Sequence, residues 1–262
     1  MLVVIKGAGD LASGVALRLH HAGFKVVMTD LPSPLAIRRT VSFCEAIREG
    51  SMTVEDVTAI KATTKEEVFT ILDNGEIPVL PDPEANIIRE ISPDVVIDAI
   101  LAKRNIGTSI GDAPIVIGIG PGFTAGVDCH AVIESMRGHT LGRAIYDGPA
   151  LPNTNIPGLI GGFAGERVLR APADGLFESV HTIGDIVKTG DVIGYVEGKP
   201  MVSTIDGVLR GLIADGTPVK EGLKSGDVDP RCKTEYCSIV SDKALAIAGG
   251  VLEAILRLSR EE

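Results

Sequence analysis

The first thirty residues limit the possible folds more than any other part of the chain. Residues 2–6, LVVIK, are a continuous apolar run, the pattern of a strand buried on both faces. Gly7-Ala8-Gly9-Asp10-Leu11-Ala12 follows at once and matches G-x-G-x-x-A, with Gly14 just beyond. Leu11, Val15, Ala16 and Leu19 then recur at helical spacing. Gly23 ends that helix, and residues 25–29, KVVMT, make a second apolar strand that stops at Asp30. Strand, glycine turn, helix and strand in this order are a βαβ unit. In such a turn Gly7 permits the tight bend and Gly9 lets a pyrophosphate reach the backbone. Ala12 lets helix and strand close together, and the helix N-terminus favours the anion. Asp30 stands 23 residues past the first glycine, where an acid commonly holds a ribose.

Gly7, Gly9, Ala12 and Asp30 are therefore candidate cofactor-binding residues, with NAD(P) as one candidate cofactor. The competing reading is a turn retained without its ligand, and Asp10 beside the phosphate position is unfavourable to an anion. Arg38-Arg39 suits a 2′-phosphate that Asp30 would repel, so surface charge is the simpler expectation for the two arginines.

The same alternation continues. Strands are expected at 41–43, 57–61, 77–80, 94–100 and 115–119, with helices near 44–50, 64–74 and 84–90. The fold class is α/β: a Rossmann-like, mostly parallel sheet domain over residues 1–165. Residues 166–232 form a small all-β domain, and residues 233–262 a C-terminal helix that packs back on the first domain. Ser241 and Asp242 cap that helix, and Leu245, Ala248, Leu252, Ile255 and Leu256 form its apolar face.

The β region repeats itself. Asp174-Gly175, Gly184, Val187-Lys188, Gly190, Gly194 and Val196 recur as Asp206-Gly207, Gly216, Val219-Lys220, Gly222, Gly226 and Val228, at a constant offset of 32 residues. Each unit reads strand, turn, then V-K-x-G, so two interlocked hairpin units related by a pseudo-two-fold axis are expected. The pattern resembles the biotinyl/lipoyl-like barrel-sandwich domains. In such carriers a modified lysine rides a hairpin between the half-units. Lys199 sits in that general place but only eight residues before Gly207, and it is expected to be unmodified.

A second glycine-rich segment, Gly118-Ile119-Gly120-Pro121-Gly122, follows the strand 115–117, and polar residues crowd behind it. Ligands in open α/β sheets sit at the carboxyl ends of strands, so both glycine loops are expected to face one crevice. Gly118, Gly120, Gly122 and Arg137 are further cofactor-binding candidates, through an amide nest and a phosphate-binding guanidinium. His130, His139 and Asp128 are candidate catalytic groups, suited to proton transfer, with Glu134 as an orienting carboxylate. The plainer alternatives are a glycine-rich junction and an Arg137–Glu134 surface pair. No metal site is expected, because Asp128, Cys129 and His130 are adjacent and adjacent residues rarely converge on one ion. Cys232 and Cys237 are not C-x-x-C and read as ordinary loop cysteines, although chalcogen handling would use an exposed, reactive thiol. Asp98, at another strand end, is either a crevice residue or a buried structural acid.

The composition excludes several classes. The formal net charge is −10 and only 3% of residues are aromatic, with no Trp, which argues against nucleic acid and anionic membrane as partners. No uncharged apolar stretch is long enough for a transmembrane helix, and the N-terminus lacks the features of a signal peptide. Four cysteines without a secretion signal suggest a reduced, cytoplasmic protein.

Several segments together resemble the YqeB family: VIKGAGDLASGVALRL, IRRTVSFCEAI, GIGPGFTAGVDCHAVIESMRGH, the doubled DG…VK-x-G segment, DVDPR and SDKALAIAGGVLEAIL. Members are named as components of a selenium-dependent molybdenum hydroxylase system. The resemblance implies a role in making or supplying that system's selenium-containing molybdenum cofactor, with the hydroxylase or other maturation proteins as partners. The glycine-lined crevice adds the expectation of an accessory protein that binds a dinucleotide or a molybdenum-pterin cofactor. It carries no assigned catalytic residues, and whether the chain is itself an enzyme stays open. An NAD(P)-dependent oxidoreductase acting on a small substrate and a non-catalytic docking protein are the alternatives. An oligomer is compatible with each reading.

Overall fold

The computed structural model describes residues 1–154 and 156–260. The chain divides into two compact units. The first contains 1–34, 42–154 and 240–260; the second contains 35–41 and 156–239.

The first unit is mixed α/β. Its strands are β1 (Leu2–Lys6), β2 (Lys25–Thr29), β3 (Ser51–Val54), β4 (Val57–Lys61), β5 (Ile77–Leu80), β6 (Val95–Asp98), β7 (Ile115–Ile119), β8 (Thr124–Ala125), β9 (Ala131–Ile133), β10 (Ala144–Ile145) and β11 (Gly148–Pro149). Its helices are α1 (Asp10–His21), α2 (Glu45–Glu49), α3 (Lys65–Asp73), α4 (Ile87–Ile91) and α5 (Asp242–Leu258). Among the described residues, nine strands form one sheet in the order β10-β9-β7-β6-β1-β2-β5-β4-β3. It is parallel from β4 to β9, and only the edge strands β3 and β10 run antiparallel. Strand β8 pairs with β11 in a separate ribbon.

The apolar runs read from the sequence fill the centre of this sheet. Val3, Val4, Ile5, Val26, Val27, Val95, Val96, Val116 and Ile117 are fully buried, as strands covered on both faces require. The chain winds outward from β1 in both directions, to β2 on one side and β6 on the other. In open α/β sheets such a reversal marks the place where ligands bind, at the carboxyl ends of the strands. Helix α3 begins with a capping box, Thr64 and Glu67 each closing the other's backbone amide. In α5, Ser241 Oγ accepts from Ala244 N, and α5 packs against α1. The two helices meet closely at Gly14, where a Cβ would lie 2.6 Å from that of Ala244.

Two local expectations fail. Residues 41–43 are not a strand: Arg39–Val41 is a 3-10 turn closed by Val41 N donating to Arg38 O. Nor is Arg38 a surface charge, while Arg39 is half-buried. The Arg38 guanidinium is buried and donates to the carbonyls of Tyr236 and Ile239, and Arg39 Nε donates to Leu212 O. These bonds tie 35–41 into the second unit and fix it as a turn.

The second unit holds two four-stranded antiparallel sheets, β12-β19-β17-β14 and β16-β15-β13-β18. The strands are β12 (Val168–Arg170), β13 (Gly175–Ser179), β14 (Ile186–Val187), β15 (Val192–Val196), β16 (Lys199–Val202), β17 (Gly207–Leu212), β18 (Pro218–Val219) and β19 (Lys224–Asp229). The repeats exchange strands: β14 of the first joins β17 of the second, and β18 of the second joins β13 of the first. The hydrogen bonds obey the same exchange. Gly184 N donates to Leu209 O at 2.9 Å and Gly216 N to Phe177 O at 2.8 Å. Gly190 N donates to Ser203 O and Gly222 N to Ala171 O, both at 2.9 Å. Each pair maps onto the other by the 32-residue offset, so the glycine pairs occupy equivalent turns. Phe177, Ile193, Val196, Leu209 and Val228 form the shared core. Lys199 is exposed and opens β16 directly after the tight turn at Glu197-Gly198.

Candidate functional site

The first glycine loop leaves the carboxyl end of β1 and enters α1. Its two glycines differ in what surrounds them. At Gly7, φ is +96° and a Cβ would meet Ala99 O at 2.9 Å, so the bend needs glycine. At Gly9 the backbone is extended, and a Cβ would find no atom within 4 Å. Among the described residues, nothing occupies the place a Cβ would take at Gly9, at the N-terminus of this twelve-residue helix. Ala12 is buried.

The loop amides are partly used. Gly7 N donates to Thr29 O at 2.8 Å, and Ala8 N donates to Asp30 Oδ2 at 2.7 Å. Leu11 N donates to Asp10 Oδ1 at 2.9 Å. Asp30 thus braces the loop, and its other oxygen accepts from Leu31 N at 2.7 Å. Burial pushes the Asp30 carboxyl up, and the hydrogen bonds from Leu31 and Ala8 only partly offset it. The buried thiol of Cys44 also belongs to this corner, with Cys44 N donating to Ala8 O at 2.9 Å. Burial, then the charges of Asp30 and Glu45, push that thiol well above its ordinary range, so it is a packing group rather than a nucleophile.

The second glycine segment is built differently. A Cβ at Gly118 would lie 2.5 Å from the Phe123 ring, one at Gly120 2.5 Å from Ser135 Oγ, and one at Gly122 2.5 Å from the Arg104 backbone. Gly120 N is spent on Ile133 O at 2.8 Å. These glycines let the chain pack on itself, and the expected amide nest is not open there.

The residues behind the segment do not gather in one crevice. His130 Nδ1 accepts from Val116 N at 2.9 Å, and His130 N donates to Val116 O at 2.8 Å. Strand β9 runs parallel to β7, with Ala131 opposite Ile117. The connection must therefore return to the amino end of β7 before β9 starts. His130 arrives there, away from the carboxyl ends where Gly9 and Gly120 lie. Glu134 is buried and accepts from Met136 N and Leu151 N at 2.7 and 2.8 Å, so it orders the loop that follows and orients no histidine. Arg137 pairs with Asp242 at 2.8 and 2.9 Å, not with Glu134. His139 is exposed on the connection between β9 and β10. Burial raises the Cys129 thiol to about 11. Cys232 is exposed, whereas Cys237 is buried and its thiol is pushed up by that burial.

Asp128 does connect to the strand ends. Its Oδ2 accepts from Thr124 N at 2.8 Å and its Oδ1 from Asn105 Nδ2 at 3.2 Å. Asn105 in turn fixes Thr108, whose hydroxyl donates to Asp98 at the end of β6. Lys6, the last residue of β1, donates to the same hydroxyl. Lys6, Asn105 and Thr108 escaped the sequence reading. The only visible sign was a charged residue ending an otherwise apolar strand immediately before a glycine loop.

No family model matches the chain. "Uncharacterized protein YqeB" from Escherichia coli K12 is 52% identical over 260 residues, which is 99% of this chain and 48% of that protein. The chain spans about half the length of the curated relative it matches and is similar to it over that span. Among solved structures, an aspartoacylase family protein from Mesorhizobium loti aligns over 87% of this chain and 84% of its own, at 10% identity and a TM-score of 0.28. The apo structure of the ectoine utilization protein EutE (DoeB) from Ruegeria pomeroyi aligns over 87% and 85%, at 13% identity and a TM-score of 0.27. These likenesses are too slight to assign an activity. No helix among the described residues is long and apolar enough to cross a membrane.

Proposed function

We propose that the chain is a cofactor-binding accessory protein whose crevice, at the carboxyl ends of β1 and β2, takes a phosphate-bearing dinucleotide or molybdenum-pterin cofactor. The observation that carries this reading is the open backbone at Gly9. It lies between a parallel strand and a helix N-terminus, where a phosphate meets amide donors and a favourable dipole. Asp30 follows β2 at the position from which an acid commonly holds a ribose, with its two oxygens already accepting from the Ala8 and Leu31 amides. The donor set fits such a group at Gly9 and the α1 amides, while the carboxylates of Asp10 and Asp30 limit how much negative charge the site tolerates. When bound, the cofactor would supply the redox or metal chemistry; the chain supplies binding and orientation.

The resemblance to the YqeB family extends the reading to a role in maturing a selenium-dependent molybdenum hydroxylase. The strand-exchanged repeat of the second unit, read as a barrel-sandwich module, would then be a partner surface. Native mass spectrometry and elemental analysis of the natively purified protein test this reading. A retained dinucleotide, or molybdenum in stoichiometric amount, supports it. Protein that carries neither, and takes up neither from a cell extract, refutes it.

A further inference from the structure

At the end of β1, Lys6 and Asp98 are register partners on adjacent parallel strands, and both are buried. They do not form a direct hydrogen bond: Lys6 Nζ lies 3.8 Å from Asp98 Oδ2. The Thr108 hydroxyl stands between them, accepting from Lys6 Nζ at 2.6 Å and donating to Asp98 Oδ2 at 2.6 Å. Asp98 Oδ1 accepts from Ile100 N at 3.1 Å. Asn105 Oδ1 accepts from the amides of Gly107 and Thr108, and its Nδ2 donates to Thr108 O. Asp128 then holds Asn105. The hydroxyl is thus locked from three sides.

We infer that Lys6 Nζ is the cationic anchor for a phosphate-type oxyanion of the ligand bound over the carboxyl ends of β1 and β6. An ammonium carries three donors. Thr108 takes one, and no other acceptor among the described residues takes the remaining two. A buried ammonium with two idle donors is costly unless something accepts from them. The charges of Lys6 and Asp98 face each other at ion-pair distance, 3.8 Å, without a direct hydrogen bond. Here the hydroxyl holds the ammonium off the carboxylate, which keeps its charge balanced and its hydrogens directed elsewhere. Lys6 directly precedes Gly7, so the cation and the open Gly9 lie at the end of the same strand. Asp98, Thr108 and Asn105 are positioning residues in this arrangement. The inference rests on the proposed phosphate-binding crevice and adds the group that meets the anion.

The test measures binding of sodium pyrophosphate and of NAD to the full chain by calorimetry, with ionic strength held constant with chloride. The variants are Lys6→Met, Thr108→Val, Thr108→Ser and Gly9→Val. A Lys6→Met/Asp98→Asn double variant removes both charges, so that no lone carboxylate is left buried. The inference expects wild type to bind both probes. Both affinities should fall roughly tenfold or more in the two Lys6 variants, the loss expected for a charge-assisted hydrogen bond. Thr108→Val should weaken binding and Thr108→Ser restore it. Gly9→Val should weaken both probes, because its side chain fills the phosphate approach. Pyrophosphate bound by wild type and lost with Lys6, but no NAD binding, would support the anchor and refute the dinucleotide reading. NAD bound equally with and without Lys6 but lost in Gly9→Val would overturn the anchor and leave the crevice standing. Neither probe bound by wild type would overturn both.

Discussion

Alanine at Gly118 and alanine at Gly9 should have opposite effects, although both glycines follow buried parallel strands. At Gly118 the added methyl would sit 2.5 Å from a ring carbon of Phe123, itself buried, so ring or strand must shift. Overpacking of this kind costs about 1–3 kcal/mol. For a unit of this size, that lowers the melting temperature by roughly 2–4 °C per kcal/mol. At Gly9 the methyl meets nothing within 4 Å and φ is −71°, so the only loss is at the helix cap, at most about 1 kcal/mol. The chain has no Trp, so urea unfolding followed by far-ultraviolet circular dichroism is the suitable assay. Gly118→Ala should lower the midpoint and leave ligand binding intact, whereas Gly9→Ala should leave the midpoint near wild type. Equal destabilisation at both positions, or a neutral Gly118→Ala that abolishes binding, would refute the assignment of one loop to packing and the other to ligand.

Other outcomes follow from the second unit and the thiols. Arg210 binds both Asp227, at 2.5 Å, and Asp229, at 3.0 Å, and both carboxylates are buried. Asp227 also pairs with Arg167 at 2.7 Å and Asp229 with Arg231 at 2.6 Å. Arg210→Met therefore removes charge-assisted hydrogen bonds without stranding either carboxylate and should destabilise the chain by about 1.5–3 kcal/mol, and a change below about 0.5 kcal/mol in chemical denaturation would contradict this. Burial alone would raise the Asp229 carboxyl, but hydrogen bonds from Arg231 and the charges of Arg210 and Arg231 outweigh it and hold it below the ordinary range. Its contribution to stability is complete above the unfolded value near 4 and disappears as pH falls through the lower folded value. A stability profile flat from pH 5 to pH 2 would refute this. Thiol labelling at neutral pH should modify Cys232 first, because Cys44, Cys129 and Cys237 are buried; fast labelling of Cys44 would contradict its place under the first glycine loop.

Much of this architecture was legible because its signals are local. The run LVVIK and the motif at Gly7–Ala12 occupy consecutive positions, and the 32-residue repeat is written in identities such as Gly184 and Gly216. The strand exchange follows from that repeat, since two units with the same half-core must complete each other. The expected strand at 41–43 failed because Val41 and Phe43 alternate like strand residues. Distant carbonyls at Leu212, Tyr236 and Ile239 capture the arginines before them and impose a turn. Strand β3 was missed because it is a short edge strand with exposed residues that pairs only with β4. The single-crevice picture of the histidines failed on topology: a parallel connection from β7 to β9 must return to the starting end of the sheet. The Lys6–Thr108–Asp98 group was invisible because Lys6 and Thr108 lie 102 residues apart, and no spacing rule joins a strand end to a loop at that distance.

The central claim is that the open backbone at Gly9 receives a phosphate-bearing cofactor. Isothermal titration calorimetry of wild type and Gly9→Val with NAD, NADP, ATP and a molybdopterin mimic tests it most directly. The account predicts saturable binding of at least one of these to wild type, and its loss in Gly9→Val with the melting temperature little changed. If wild type binds none of them, or Gly9→Val binds as tightly as wild type, the first loop is only a turn and the account is wrong.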